Sequence, residues 1–166
     1  MNNKITLILD NIRSAQNVGS LFRTAECLGV SKIYICGYSP YPLQKNDSRL
    51  PHIALKNDQM INKTALGATK FIKWSYFPDT LKLISKLRKE KYFIVSLEQN
   101  SKSIKLKDFK ISNTKIGLIV GNEISGLSNS ILKESDQIVE IEMAGKKESL
   151  NVVQASAIAI YSILNL

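Results

Sequence analysis

Glu123, Ser149 and Asn151 are the side chains in this sequence best placed to do chemistry. Each lies in a glycine-containing loop directly after an apolar run: Glu123 in IGLIVGNEISGLS (residues 116–128), Ser149 and Asn151 in IVEIEMAGKKESLNVVQASAIAI (residues 138–160). Short apolar strands feeding such loops build a pocket walled by backbone, because glycine has no Cβ to hold a ligand away. Polar side chains at its mouth can then orient a second reactant. A second group, Asn11, Arg13, Asn17 and Arg23, follows the first apolar run in DNIRSAQNVGSLFRTAE (residues 10–26). It falls at or just beyond the carboxyl end of a strand, where open parallel sheets bind ligands. The planar fork of donors on Arg23 suits a phosphate, and a solvated charge on the polar side of a helix reads the same way.

Familiar alternatives are missing. No GxxxxGK[ST] cradles a phosphate, and no GxGxxG follows the first strand. A single histidine, His52 after Pro51, reads as a surface residue and leaves a triad or zinc centre without partners. Cys27 and Cys36 form no CxxC and read as buried free thiols, so no metal is expected. The 23 Lys and Arg against 14 Asp and Glu give a net charge of +9. That surplus suits a nucleic-acid backbone, although a solvated basic surface shares it. It concentrates in Lys82–Lys91, Lys102–Lys110 and the pair Lys146–Lys147, the last inside the polar loop. The opening MNNKITLILD lacks the parts of a signal peptide, and apolar runs such as ITLIL and IGLIV are far too short to span a bilayer. A cytoplasmic protein with no membrane partner is expected.

The elements that must position these residues follow from periodicity. Ile5–Leu9 and Lys32–Cys36 read as buried strands, and Val18, Leu21, Phe22, Ala25 and Leu28 recur between them at helical spacing, with Gly29 as the cap. A crossover helix implies parallel strands. Residues 37–69 read as a long loop with a helical turn or two. FIKWSYF suggests a short strand, and Asp79 caps a helix whose stripe is Leu81, Ile84 and Leu87. FIVSL, IGLIV and QIVEIEM give three more strands. Asn151–Leu164 closes the chain as a helix with Val153, Ala157, Ile160, Tyr161 and Leu164 on its apolar stripe. Its small first half suits tight packing on its own sheet or against a second copy. With no repeat or composition break in 166 residues, one α/β domain over 1–166 is expected.

Three ordered motifs carry a resemblance. Asn17-x-Gly19-x-x-x-Arg23-x-Ala25, then Gly121-Asn122-Glu123-x-x-Gly126-Leu127-Ser128, then Ile141-x-Met143-x-Gly145-x-x-x-Ser149-Leu150-Asn151-Val152 closely resemble those of the SpoU (TrmH) family of RNA ribose 2′-O-methyltransferases, in the knotted SPOUT class. The resemblance implies a parallel-sheet α/β/α domain with a deep trefoil knot near the C-terminus. It also implies a homodimer, S-adenosylmethionine as methyl donor, and a ribose 2′-hydroxyl of tRNA or rRNA as acceptor, tRNA being favoured. By position, Arg23, Asn17, Glu123, Ser149 and Asn151 become the catalytic set. Leu97, Glu98, Gly121, Ile141, Met143, Ser149 and Leu150 would contact the donor, mostly through backbone. Arg13, Arg23, Lys146 and Lys147 would contact RNA. A guanidinium keeps its proton and makes a poor base, so Arg23 is better suited to holding phosphate and stabilising charge on the attacking oxygen.

Three departures from the family pattern stand out. Glu142 replaces a common proline, Val153-Gln154-Ala155 stands where relatives often read SVA, and no N-terminal RNA-binding extension is expected. Two other readings use the same residues: a non-catalytic RNA-binding module of this fold, and a SPOUT enzyme that methylates a base.

Overall fold

A computed structural model describes residues 3–111 and 114–166. They form seven strands, β1 (Lys4–Asp10), β2 (Lys32–Cys36), β3 (Trp74–Phe77), β4 (Tyr92–Leu97), β5 (Ile104–Lys105), β6 (Lys115–Val120) and β7 (Gln137–Glu140). The helices are α1 (Ala15–Cys27), α2 (Pro51–Ala65), α3 (Thr80–Lys89), α4 (Asn129–Lys133) and α5 (Val152–Leu164). The strands build one sheet in the order β3-β2-β1-β6-β4-β7-β5, with every pairing parallel.

Parallel sheets are covered on both faces, which is why their strands read as continuous apolar runs. Successive side chains of β1 divide accordingly. Ile5, Leu7 and Leu9 pack with Val18, Leu21 and Phe22 of α1 and Ile160 of α5. Ile8 faces the other layer, with Leu83, Ile84 and Leu87 of α3 and Ile131 of α4. The result is the expected α/β/α arrangement. Asn3 fastens its base: the buried amide donates to the carbonyls of Ile111 (2.8 Å) and Ile163 (2.9 Å) and accepts from the Thr114 N–H (3.2 Å).

The helix ends follow local chemistry. The Ser14 hydroxyl accepts from the Asn17 N–H at 3.2 Å, and Gly29, at φ 72°, takes the left-handed step beyond Leu28. The Asp79 carboxylate accepts from the Lys82 N–H at 3.0 Å to start α3.

Several expectations change. The stretch 37–69 is not mainly loop, for it holds the fifteen-residue helix α2, begun by Pro51 and ended by Leu66 in the left-handed region. Its buried face is only Ala54, Ile61 and Ala65, while Ile53 and Leu55 are exposed, so the apolar stripe is narrow and blurred. The loop before it is held by Arg49, which pairs with Asp47 at 2.5 Å and lies 3.5 Å over the Tyr41 ring. On α3, Leu83 takes the buried place expected of Leu81. On α5, Tyr161 is exposed and Ser156, Ala159 and Ile163 join Ile160 and Leu164 inside. Cys27, on the outer face of α1 one turn beyond Arg23, is exposed, whereas Cys36 is buried and its thiol is pushed up to about 12 by burial. β7 stops at Glu140, releasing Ile141–Met143, and the two-residue β5 had no pattern to announce it. No helix of the described residues is long and apolar enough to cross a membrane.

α1 and α2 touch at Gly19. A Cβ there would lie 2.1 Å from the Thr64 hydroxyl oxygen and 2.2 Å from the Ile61 carbonyl oxygen. Gly19→Ala improves helix propensity by about 1 kcal/mol but overpacks this crossing, which costs about 1–3 kcal/mol or more. The variant is expected to unfold at lower urea than wild type, with Ser20→Ala as the neutral control.

Candidate functional site at the carboxyl edge of the sheet

β2 and β3 lie to one side of the starting strand β1, and β6, β4, β7 and β5 to the other. The carboxyl ends meet where that order reverses, the usual place for a ligand in an open α/β sheet. A cavity of about 540 Å³, within the range of small-molecule sites, opens beside that junction over the ends of β6, β4 and β7. Its walls come from three segments: Leu97–Gln99 after β4, Val120–Gly126 after β6, and residues 140–155 after β7. All seven residues expected to contact a donor, Leu97, Glu98, Gly121, Ile141, Met143, Ser149 and Leu150, line it.

Glu123 organises the rim. One carboxylate oxygen accepts from the Arg13 N–H at 2.8 Å; the other accepts from the Ser14 N–H at 3.1 Å and the Asn17 side-chain amide at 2.8 Å. An anion here satisfies donors at the start of α1 and complements the positive end of its dipole. Partial burial pushes the carboxyl pKa up, but the hydrogen bonds from Arg13, Asn17 and Ser14 outweigh it and hold the group below its ordinary value. The relay continues from Asn17, whose carbonyl oxygen accepts from the Asn151 amide at 3.4 Å, a long bond. Asn151 itself caps α5, its oxygen accepting from the Val153 N–H at 2.8 Å. Three residues from three segments thus form one hydrogen-bonded line.

The loop beneath is built by groups that periodicity does not reveal. The Asn122 side chain is 7% exposed. Its oxygen accepts from the N–H groups of Ile124 and Ser125, both at 2.9 Å, and its amide donates to the Asn11 carbonyl (2.9 Å) and the Tyr38 hydroxyl (2.7 Å). The Glu98 carboxylate accepts from the N–H of Leu127 and its neighbour Gln99, both at 2.9 Å. A Cβ at Gly126 would lie 2.3 Å from that carboxylate, and Gly126 has φ 64°. Gly121, which lines the cavity, also has a reason within the loop. A Cβ there would meet the Leu127 side chain at 2.8 Å and the Gly126 carbonyl carbon at 2.9 Å, so the glycine lets the loop close on itself.

Not every expected residue joins the cavity. Arg23 is exposed on α1, six residues beyond Asn17, with no hydrogen bond or ion pair from its side chain among the described residues. Arg13, Lys146 and Lys147 are exposed outside the wall. Ser149 and Asn151 do line it. Glu142 forms a clamp: its carboxylate pairs with Lys105, and with Lys107 at 2.8 Å, tying the loop after β7 to the β5 edge.

The cavity's charge is opposite in sign to that of the whole chain. Glu98, Glu123, Glu140 and Glu148 all line the cavity, and no lysine or arginine of the described residues does. In a chain of net charge +9, this leaves an acidic chamber inside a basic shell. The signal was present in LEQN, IVEIE and KKES, but the lysines that dominate the composition hid it.

The SpoU rRNA methylase family profile matches residues 4–161. A tRNA (guanosine(18)-2′-O)-methyltransferase of Borreliella burgdorferi is 33% identical over 98% of this chain and 66% of its own length. The crystal structure of the SpoU methyltransferase AviRb from Streptomyces viridochromogenes superposes with a TM-score of 0.82 at 20% identity, over 99% of this chain and 60% of that one. An AdoMet-bound rRNA methyltransferase from Sinorhizobium meliloti gives 0.79 at 22% identity, over 98% and 56%. The chain spans about 57–66% of the length of the curated relatives it matches. With its three motifs gathered at one sheet edge and a profile match covering nearly its whole length, the chain belongs to the SpoU rRNA methylase family.

Proposed function

We propose that this protein transfers a methyl group from S-adenosylmethionine to a ribose 2′-hydroxyl of RNA, with tRNA the favoured substrate. The observation that carries this reading is the Glu123–Asn17–Asn151 line at the rim of the acidic cavity, which joins all three motifs around one opening. The relative named for tRNA guanosine methylation supports tRNA. A homodimer and a C-terminal knot accord with the family. The exposed Ile158 and Tyr161 on α5 offer apolar surface for a second copy to cover. A cytoplasmic location suits an enzyme of RNA.

The cavity fits the donor chemically. Leu97, Ile141 and Leu150 offer apolar surface for a flat base, with the loop backbones available for polar contacts. Four carboxylates suit a ligand with net positive charge. When bound, S-adenosylmethionine supplies an electrophilic methyl on a sulfonium centre, whose sulfur leaves as a neutral thioether while the hydroxyl proton is released.

The protein's part is alignment. Glu123 is a weak proton acceptor, because its oxygens already take three hydrogen bonds that favour the ionised form. Its role is to fix Asn17 and the start of α1. Asn17 and Asn151 orient the ribose, Ser149 positions substrate at the mouth, and Arg23 with Arg13, Lys146 and Lys147 holds phosphates. Arg23 supplies the charge that stabilises the attacking oxygen.

Arg23→Ala is expected to lower methyl transfer to tRNA by roughly 10²–10³-fold while S-adenosylmethionine binding, measured by calorimetry, is unchanged. Nuclease-resistant dinucleotides from the wild-type product identify the 2′-position; a methylated base in their place would overturn the reading, as would donor binding with no transfer to any cellular RNA. Glu123→Gln removes an anion that accepts from three donors, and such charged bonds contribute about 1.5–3 kcal/mol each when buried, less at this half-buried rim. The variant is expected to have a lower Tm at neutral pH. Because the folded pKa of Glu123 lies below its ordinary 4.5, this stabilisation is present above pH 4.5 and is lost as pH falls through the folded value. Wild type and variant should therefore converge in Tm on acidification.

A further inference from the structure

We propose that Tyr38 is a platform on which an unpaired base of the RNA stacks beside the reacting ribose, an inference that rests on the methyl-transfer reading above. Tyr38 is 64% exposed, an unusual place for a large apolar ring, and no ring or cation of the described residues covers it. It is nonetheless held at both ends. Its N–H donates to the Asn11 side-chain oxygen at 3.1 Å, and its hydroxyl accepts from the Asn122 amide at 2.7 Å. Asn122 is buried and immediately precedes Glu123, so the hydroxyl is pinned at the reactive rim.

The turn that presents the ring is rigid as well. Gly37 has φ 62°, and a Cβ there would lie 1.9 Å from the Asn11 side-chain oxygen. The Gly37 N–H donates to the Pro78 carbonyl at 3.2 Å, and its own carbonyl accepts from the Tyr76 hydroxyl at 2.8 Å. Asn11 takes φ 53°, a conformation asparagine tolerates better than most residues. A ring already ordered in this way loses little freedom when a base lies on it. Aromatic faces that stack single-stranded bases, with cations nearby for the backbone, are the common means of gripping unpaired RNA. Arg13, two residues along from Asn11 and with its N–H on Glu123, supplies a cation on the same rim.

Tyr38 has a structural role too, as a hydrogen-bond partner of Asn122, and the test separates the two. Tyr38→Phe removes the hydroxyl and keeps the ring; Tyr38→Ala removes both. Stacking predicts that Tyr38→Ala raises KM for tRNA by roughly 5–150-fold, the loss expected for one base–aromatic stack, while Tyr38→Phe stays within about threefold and the two variants, which both lack the hydroxyl, have equal S-adenosylmethionine affinity. In Tyr38→Trp, with the wild-type Trp74 signal subtracted, the indole fluorescence should quench on titration with tRNA over the range in which anisotropy reports binding. Equal KM for Tyr38→Ala and wild type, equal losses in Tyr38→Ala and Tyr38→Phe, or tRNA binding without quenching would each overturn the stacking proposal while leaving the methyl-transfer reading intact. A wild-type protein that binds donor but neither binds nor methylates RNA would overturn both.

Discussion

Just ahead of the first helix, the N–H groups of Arg13 and the cap residue Ser14 donate to one carboxylate, Glu123, more than a hundred residues later in the chain. Much of the site depends on that pairing. It brings the loop after β6 over the end of β1, fixes the Asn17 side chain, and through it sets where Asn151 starts the last helix. Neighbouring Asn122 secures the same loop from below with four hydrogen bonds. Because the donors and acceptors are nearly all mutually satisfied, the rim is ordered before any substrate arrives. Such preorganisation is what an alignment catalyst requires, since reorganisation during reaction would be added to the barrier.

The placement of charge sorts ligands by sign. A polyanion is drawn to the basic exterior, and the acidic cavity repels its phosphates. A compact cation enters the cavity with the opposite preference. The carboxylates also have internal duties: Glu98 holds the Leu127 N–H, and Glu140 accepts from the Ser103 hydroxyl at 2.5 Å. The same groups that shape the chamber therefore give it its sign.

Much of this was legible in the sequence because strand-length apolar runs and motif order are strong signals. The central strands, the α/β class and the seven cavity residues after β4, β6 and β7 fall into that class. The unread parts have physical reasons. α2 buries only Ala54, Ile61 and Ala65, so its periodicity nearly vanishes. Gly19 stands inside a recognisable motif, yet the surfaces that exclude a Cβ there come from Ile61 and Thr64 of another helix, contacts that no local pattern contains. Tyr38 and Glu98 act through single hydrogen bonds to distant loops, and spacing in the chain says nothing about those. Arg23, grouped with the site by its motif, stands clear of the cavity on the exposed side of α1, a separation that motif order does not encode.

The pairing of β1 with β6 has a consequence for how the protein is made. Lys4 lies opposite Lys115, so the edge of β1 that faces the sheet's central strand, β6, stays open while about a hundred further residues are synthesised. At about 5–20 residues per second, that interval lasts roughly 5–20 s. During it, β1, β2 and β3 can pair with α1 and α2 packed on one face, leaving an apolar, unsatisfied strand edge towards solvent. The nascent chain is then at its most adhesive, and closing the sheet with β6 ends a hazard of synthesis as well as completing the floor of the site.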